Sequence, residues 1–204
     1  YWLHVFEKYG IAKDRLLGVD ISPSNVSKLS AEGFGVVCAN VLTLPLHTAA
    51  FKFTLSIGVI HHTPEPFRAF QELVRITKPG GLIYLSVYNK WNPYYYIVHK
   101  AAFPIRFLYW NWSKKTASIV YPLSKILYQP LALLLLGKFL DDKSGRALFM
   151  DQVMTPRAFL FSKKDIRSYA AQCNCSVEEI RYTNHFFMLT SIIRKNSGTS
   201  PGCG

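Results

Sequence analysis

The five residues Leu16-Leu17-Gly18-Val19-Asp20, followed at once by Ile21-Ser22-Pro23, decide the fold of this chain. An apolar run without polar alternation is typical of a parallel strand that is covered on both faces. Its last residue, Asp20, stands at the carboxyl end of a strand, where open α/β sheets bind ligands. Two interpretations of Asp20 are open from this segment alone. The carboxylate accepts two hydroxyl groups of a ribose, or it caps the helix that begins near Ser22.

Further segments continue the pattern in chain order. They are residues 35–40 (GVVCAN) with the loop 42–46 (LTLPL), residues 53–64 (FTLSIGVIHHTP) and residues 77–88 (TKPGGLIYLSVY). Residues 24–32 and 66–76 have the apolar spacing of helices that connect these strands. The alternation of strand and helix predicts a parallel α/β sheet. Near the carboxyl end, residues 162–173 have the signature of a capped helix, and two strands are predicted at 176–182 and 186–193.

Together these segments resemble the class I S-adenosylmethionine-dependent methyltransferases, closely over residues 1–90 and more loosely over the last fifty. The resemblance implies an α/β, Rossmann-like, doubly wound and mostly parallel sheet with a terminal antiparallel strand. The GxGxG loop that follows the first strand in this family is absent. Residues 1–10 instead have the spacing of the helix that comes after that loop. We therefore expect a fragment without the first strand, in which activity is weakened or lost.

The resemblance implies S-adenosylmethionine as the cofactor and assigns its contacts to matching positions. These are Asp20, Ile21, Asn40, Val41, Ile57, Gly58 and Val59. Asn40 replaces the Asp that the family usually places there, and an amide oxygen still accepts a hydrogen bond from the adenine amine. For Ile21 and Val41 the alternative is ordinary core packing. For Gly58 the alternative to close cofactor approach is a turn at the end of a strand.

Four polar residues are candidates for work on the methyl acceptor. His61 and His62 are adjacent at the exit of a strand, where an imidazole can take a proton from a phenol or enol. The alternative is that one ring hydrogen bonds Thr63 or a backbone carbonyl and orders the loop. Asp151 and Arg157 lie beside the last helix and orient an acceptor, or they form a surface ion pair.

Residues 90–150 interrupt the pattern with aromatic clusters and prolines and predict a helical insertion. Between residues 90 and 167 there are 13 Lys or Arg against 4 Asp or Glu, an excess of nine in a chain of net charge +12. Interleaved aromatics and cations suit a membrane interface or a stacked nucleic-acid strand. The favoured alternative is a cap whose aromatic side chains line a substrate pocket.

The predicted organisation is one domain that is divided in the sequence by an insertion. Residues 1–89 form a partial SAM-binding half, 90–150 the aromatic and basic insertion, 151–195 the carboxyl-terminal part of the same domain, and 196–204 a disordered tail. The four cysteines lack the spacing of a zinc site, so no metal is expected. No secretory signal is visible and the longest apolar stretch is too short to span a bilayer, which favours a cytoplasmic protein, free or peripheral to a membrane.

The predicted function is methyl transfer to a small or lipid-like acceptor. The Asn/Asp-Pro-Pro-Tyr signature of many nucleic-acid amino methyltransferases is replaced here by Gly58-Val59-Ile60-His61-His62, which favours oxygen or carbon as the acceptor atom. Nucleic acid is therefore the less favoured partner. The alternative function is a degenerate methyltransferase-fold module that binds an anionic membrane or nucleic acid without catalysis.

Overall fold

A computed structural model describes residues 2–92, 95, 100–136, 139–184 and 186–198. The strands are β1 (Leu17–Asp20), β2 (Gly35–Cys38), β3 (Phe51–Ile57), β4 (Thr77–Tyr88), β5 (Cys175–Thr183) and β6 (Met188–Lys195). The helices are α1 (Trp2–Lys8), α2 (Pro23–Ala31), α3 (Pro66–Ile76), α4 (Phe103–Asn111), α5 (Lys115–Leu136), α6 (Asp142–Phe149) and α7 (Lys163–Gln172). Single turns of 3-10 helix occur at Lys13–Arg15 and Ile60–His62, and a π-helical turn at Met150–Met154. The tail predicted to be disordered lies outside the described residues after residue 198.

The sheet is divided into two parts. β1 pairs in parallel with β2, and a second sheet has the order β3-β4-β6-β5. β3 and β4 are parallel, whereas β6 runs antiparallel to both of its neighbours. This arrangement confirms the predicted α/β fold with one reversed strand near the carboxyl terminus. No strand of the described residues pairs with the second edge of β1 or of β3.

The main core lies between the four-stranded sheet and the helices α3 and α7. Ile83, Leu85 and Val87 alternate along β4 and are fully buried, with Phe70 of α3 packed in the same cluster. The two helices begin and end where the sequence predicts. Pro66 occupies the first turn of α3. At α7 both hydrogen bonds of the predicted capping box are formed between Ser162 and Asp165.

The expectation that β1 is covered on both faces is wrong. Leu17 and Val19, which share one face of the strand, are 37% and 39% exposed. On the other face α1 approaches closely, because a Cβ at Gly18 would lie 2.9 Å from the Leu3 side chain. The reason for the exposure is the width of the sheet: two strands present too narrow a surface for flanking helices to enclose both faces.

The helices α4, α5 and α6 have a second, smaller core. Tyr121 of α5 is 1% exposed and packs with Phe149 and Met154. Two side chains of α4 bind the π-helical turn: Arg106 donates to the Val153 carbonyl at 3.1 Å and Trp110 Nε1 to the Met154 carbonyl at 2.7 Å. No helix in the described part of the chain is both long and apolar enough to cross a lipid bilayer.

Candidate active site

Asp20 ends β1 and contacts the beginning of α2. Its Oδ1 accepts from the Ser22 backbone N–H at 2.8 Å, and its Oδ2 accepts from Asn25 Nδ2 at 2.9 Å. Ser22 is the N-cap residue of the helix. Asp20 therefore supports the start of α2 through Ser22 and Asn25, although the capping residue itself is Ser22. A carboxylate has about four acceptor positions, so the half-exposed group also retains acceptor capacity for a ligand.

The loop after β2 places Asn40 and Val41 beside the main core. Asn40 is exposed, and its Oδ1 accepts from the Leu42 backbone N–H at 3.0 Å. Val41 is partly buried against the core cluster, in agreement with core packing. Ile21 is different: its side chain is 70% exposed, so the core-packing interpretation is wrong for Ile21. Its apolar surface is open to a ligand.

A pair of charged side chains on α3 holds the rest of this loop. Arg75 donates to the Leu44 carbonyl at 2.8 Å and to the Leu46 carbonyl at 2.7 Å, while Glu72 accepts from the Leu44 N–H at 2.7 Å. The side-chain hydrogen bond from Arg75 lowers the pKa of Glu72. Because both residues face the loop, α3 fixes the position of the segment that follows Asn40.

Gly58 forms the turn at the carboxyl end of β3. Its φ of +73° is in the left-handed region, which favours glycine. Its N–H donates to the Ser86 carbonyl at 3.0 Å. Apart from the two chain neighbours of Gly58, none of the described residues has an atom within 4 Å of a Cβ built there, so the space next to the backbone is open. Ile57 is partly buried and Val59 is 44% exposed at the same edge.

A compact polar network occupies the neighbouring end of β4. His62 Nε2 lies 3.3 Å from Asp151 Oδ1, and the Tyr88 hydroxyl donates to Asp151 Oδ2. His62 Nδ1 lies 2.9 Å from the Arg157 carbonyl. His61 stacks on Tyr88 with ring centroids 3.9 Å apart. These five residues come from three segments that are far apart in the sequence: residues 61–62, residue 88 and residues 151–157.

The contacts of His62 define where its protons are. Nδ1 faces a carbonyl oxygen and Nε2 faces a carboxylate, and both partners only accept hydrogen bonds. A proton on Nδ1 is donated to the Arg157 carbonyl, whereas Nε2 lies within ion-pair distance of Asp151 without forming a geometric hydrogen bond, so the carboxylate favours the protonated ring. Burial lowers the pKa of His62, but the interaction with Asp151 and the hydrogen bond to the Arg157 carbonyl outweigh burial and leave the pKa raised.

The pKa values of Asp151 and Tyr88, the partners of His62, are also shifted by their contacts in the network. Burial raises the pKa of Asp151, but the interaction with His62 and the hydrogen bond from Tyr88 outweigh burial and leave it lowered. For Tyr88, burial and the negative charge of Asp151 both raise the pKa, so the phenol keeps its proton. The network therefore combines a histidine whose protonated form is favoured, a carboxylate and a neutral phenol.

His61 has the opposite character. Its side chain is fully buried, and neither ring nitrogen has a hydrogen-bond partner among the described residues. Burial, followed by repulsion from the neighbouring His62, lowers the pKa of His61 to about 3. The ring is neutral at physiological pH and has an unshared electron pair that is not used in the network. Its burial and low pKa make His61 a weak base and a packing partner of His62 and Tyr88.

Comparison with known proteins bears on the same region. The methyltransferase domain family matches residues 2–85. An uncharacterized methyltransferase of Mycobacterium leprae (strain Br4923) is 33% identical over 95 residues, which are 45% of this chain and 34% of that protein. The tRNA (carboxymethyluridine(34)-5-O)-methyltransferase of Arabidopsis thaliana is 32% identical over 90 residues, which are 38% of this chain and 22% of that protein.

The fold has solved counterparts over most of the chain. One is the crystal structure of Burkholderia thailandensis 1,6-didemethyltoxoflavin-N1-methyltransferase with bound 1,6-didemethyltoxoflavin and S-adenosylhomocysteine. It matches this chain with a TM-score of 0.53 at 14% identity. The likeness covers 95% of this chain and 65% of that one. Residues 2–85 match the methyltransferase domain family, and the chain has the fold of class I SAM-dependent methyltransferases.

The residues that match the methyltransferase domain family contain some of the candidate site residues but not all of them. Asp20, Asn40, Gly58 and the two histidines lie within residues 2–85, whereas Tyr88 and Asp151 lie outside them. The chain spans about a third or less of the length of the two curated relatives described above.

Asp151 and Arg157 have different roles in the site. Asp151 pairs with His62 and Tyr88, and Arg157 contributes its backbone carbonyl to His62. A hydrogen bond from one histidine ring to a backbone carbonyl is the alternative to catalysis that the sequence offers. His62 makes such a contact, with the Arg157 carbonyl. Tyr88 is a residue that the sequence analysis missed. Its position as the last residue of the strand after the KPGG turn is the signal that identifies it.

Proposed function

We propose that this chain binds S-adenosylmethionine and transfers its methyl group to an oxygen or carbon atom of a small or lipid-like acceptor. The observation that carries the proposal is the network of His61, His62, Tyr88 and Asp151 at the sheet edge next to Gly58. Ile57 pairs with Ser86, so the ends of β3 and β4 lie side by side. A ligand at Gly58 is then close to groups that can handle a proton.

The residues at the strand ends fit the cofactor. Asp20 supplies acceptor oxygens for the ribose hydroxyls, and Asn40 supplies an amide for the adenine edge. The exposed side chains of Ile21 and Val59 offer apolar surface, and the open space at Gly58 leaves room for the methionine end. Bound S-adenosylmethionine supplies a methyl group on a positively charged sulfur that leaves as a neutral thioether.

The two histidines divide the remaining work. An acceptor hydroxyl or acidic carbon must lose a proton, and we assign its acceptance to His62, whose ring is partly exposed and has a raised pKa. His61 is fully buried and its pKa is about 3, so it is a weak base; its ring, with the centroid 4.2 Å from that of His62, packs against His62 and Tyr88 instead. Asp151 and Tyr88 hold His62 in this orientation. Alignment of acceptor and methyl group supplies most of the rate.

The helical insertion supports an apolar or aromatic acceptor. An open groove of about 580 Å³ is lined by Phe103, Phe107 and Trp110 of α4 and by Pro156, together with the polar side chains of Lys100, Arg106 and Asn111. Pro156 directly precedes Arg157, whose carbonyl binds His62. We therefore propose that residues 90–150 cap the domain formed by 1–89 and 151–195. The Arabidopsis relative is named for methyl transfer to an oxygen of a tRNA nucleoside, which supports oxygen and makes tRNA an acceptor to include in the assay.

Calorimetric titration with S-adenosylhomocysteine tests the cofactor half of the proposal. The wild-type chain is expected to bind it, and Asp20→Ala is expected to weaken binding by about tenfold or more through loss of charge-assisted hydrogen bonds. Asp14→Ala removes an exposed acid at the other end of β1 and serves as the matched control. Failure of the wild-type chain to bind refutes the proposal for this chain.

Methyl transfer from radiolabelled S-adenosylmethionine tests the acceptor half. Phenols, enols, lipid extracts and tRNA are offered in parallel to wild type, His61→Ala and His62→Ala. An oxygen- or carbon-methylated small molecule or lipid is the expected product. Methylation of tRNA alone contradicts the proposed acceptor class, and cofactor binding with no product on any acceptor supports a non-catalytic module instead.

A further inference from the structure

One face of α5 presents a stripe of exposed aliphatic side chains. Ile119, Leu123, Ile126 and Leu133 are 67%, 64%, 73% and 45% exposed. Their spacings of four, three and seven residues place them on one face of a helix. The opposite face packs inward through Tyr121 in the second core. The stripe is thus on the outside of the insertion and points away from its core.

The amino end of this stripe is aromatic and cationic. Trp112 is 85% exposed, and Lys115 is exposed on the same helical face, one turn before Ile119. Lys114 lies over the ring of Trp110 at 3.5 Å from its centroid. The sequence segment 90–167, to which this helix belongs, carries an excess of nine positive charges. An apolar stripe with a tryptophan and lysines at its border is complementary to the interface of an anionic bilayer.

The prolines of α5 favour a position on the bilayer rather than through it. Pro122 and Pro130 lie inside the helix. They have no N–H to donate to the carbonyls of Ser118 and Ile126, one turn earlier. In the hydrocarbon centre such carbonyls lack partners, whereas water and lipid headgroups satisfy them at the surface.

We propose that α5 docks on the surface of an anionic lipid bilayer, with the stripe Ile119, Leu123, Ile126 and Leu133 at the boundary of headgroups and acyl chains. Trp112 and Lys115 then lie at the level of the lipid phosphates. The contact is reversible, because the helix inserts one face and leaves the other on the protein. The inference rests on α5 and its charges and is independent of the methyl-transfer proposal.

Cosedimentation with vesicles tests the docking surface. The full chain is mixed with vesicles of phosphatidylcholine alone or with about 30% phosphatidylglycerol, and the bound fraction gives a partition coefficient. Binding is expected only to the anionic vesicles and is expected to weaken severalfold between about 0.1 and 0.5 M NaCl. The triple variant Ile119→Ser/Leu123→Ser/Ile126→Ser is expected to lose about tenfold or more of the partition coefficient.

Two controls keep the result interpretable. Tyr9→Ser removes an exposed aromatic, 81% exposed, outside the insertion and is expected to bind like wild type. Circular dichroism shows whether the triple variant folds, and Lys115→Glu, which retains the apolar stripe, is expected to reduce binding on its own. Equal binding to both vesicle types, or no vesicle binding at all, overturns the proposal. A dimer in light scattering that the triple variant dissociates assigns the stripe to a second copy of the chain instead.

Discussion

Replacement of Asp151 by Asn removes the negative charge beside His62 and retains the size and shape of the side chain. The amide oxygen still accepts from the Tyr88 hydroxyl, so the geometry of the network is retained. The protonated ring of His62 loses the negative charge of its partner and remains largely buried. We therefore expect the pKa of His62 to fall, because burial still lowers it and the main opposing contribution is lost.

The magnitude follows from the distance and the exposure of the pair. Two unit charges separated by the 3.3 Å between Nε2 and Oδ1 attract by about 5 kcal/mol at an effective dielectric constant of about 20. The Asp151 side chain is 48% exposed, so screening and desolvation reduce the net contribution to about 1–2 kcal/mol. One pKa unit is about 1.4 kcal/mol, and the expected fall in the pKa of His62 is about one unit.

The pair stabilises the folded state only while His62 is protonated. Because its pKa is raised in the folded state, the contribution is complete below about pH 6.5 and is lost as the pH rises through the folded pKa. The pKa of Asp151 is lowered, so its own contribution disappears only in stronger acid. Asp151→Asn is thus expected to lower the free energy of unfolding by about 1–2 kcal/mol near pH 6 and by much less near pH 9.

Urea denaturation followed by tryptophan fluorescence at several pH values between about 5.5 and 9 measures this difference. Asp142→Asn is the matched control, because Asp142 pairs with Lys125 and involves no histidine proton. Its effect on the free energy of unfolding is expected to be constant over the same range. An Asp151→Asn difference that is equally constant refutes the reasoning that places a charged imidazolium beside Asp151.

Three other predictions follow from separate features. The ring resonances of His61 are expected to remain unchanged in NMR spectra between about pH 5 and 9, because its pKa is about 3; a titration in that range contradicts its burial without partners. Arg75→Ala is expected to lower the free energy of unfolding by about 2–3 kcal/mol, since two loop carbonyls and Glu72 lose their partner, and to speed amide exchange at Leu44. Ser162→Ala is expected to cost about 1 kcal/mol by removing the capping box of α7, and an unchanged midpoint in a thermal melt speaks against it.

The parts of the fold that follow from local sequence were predictable. The helix α3 has the predicted bounds, the capping box at Ser162 is formed, and β6 is the reversed strand. The helix and the capping box depend on spacing or on capping residues within a short segment, whereas the reversed strand was implied by the resemblance to the methyltransferases. The exposure of Leu17 was not predictable in this way, because it depends on how wide the finished sheet is.

The candidate site was predictable in its members but not in its connections. His61, His62 and Asp151 were chosen for their chemistry, yet the sequence gives no indication that Asp151 contacts a histidine 89 positions earlier. That contact depends on the path of the helical insertion, which brings residues 150–161 back across the end of β4. The protonation states could be assigned only after the acceptors of both His62 nitrogens were known.

The division of the sheet has a consequence for how the chain opens in solution. The pair β1–β2 is joined to the four-stranded sheet by side chains rather than by strand hydrogen bonds: Leu3 of α1 contacts Gly18, and Phe6 contacts Phe53 with ring centroids 6.2 Å apart. Backbone amides in β1 and β2 are therefore expected to exchange with deuterium as one fast unit, before those of β4 and β6. The part of the protein that carries Asp20 can then loosen while the histidine network stays folded, so the two halves of the site differ in local stability.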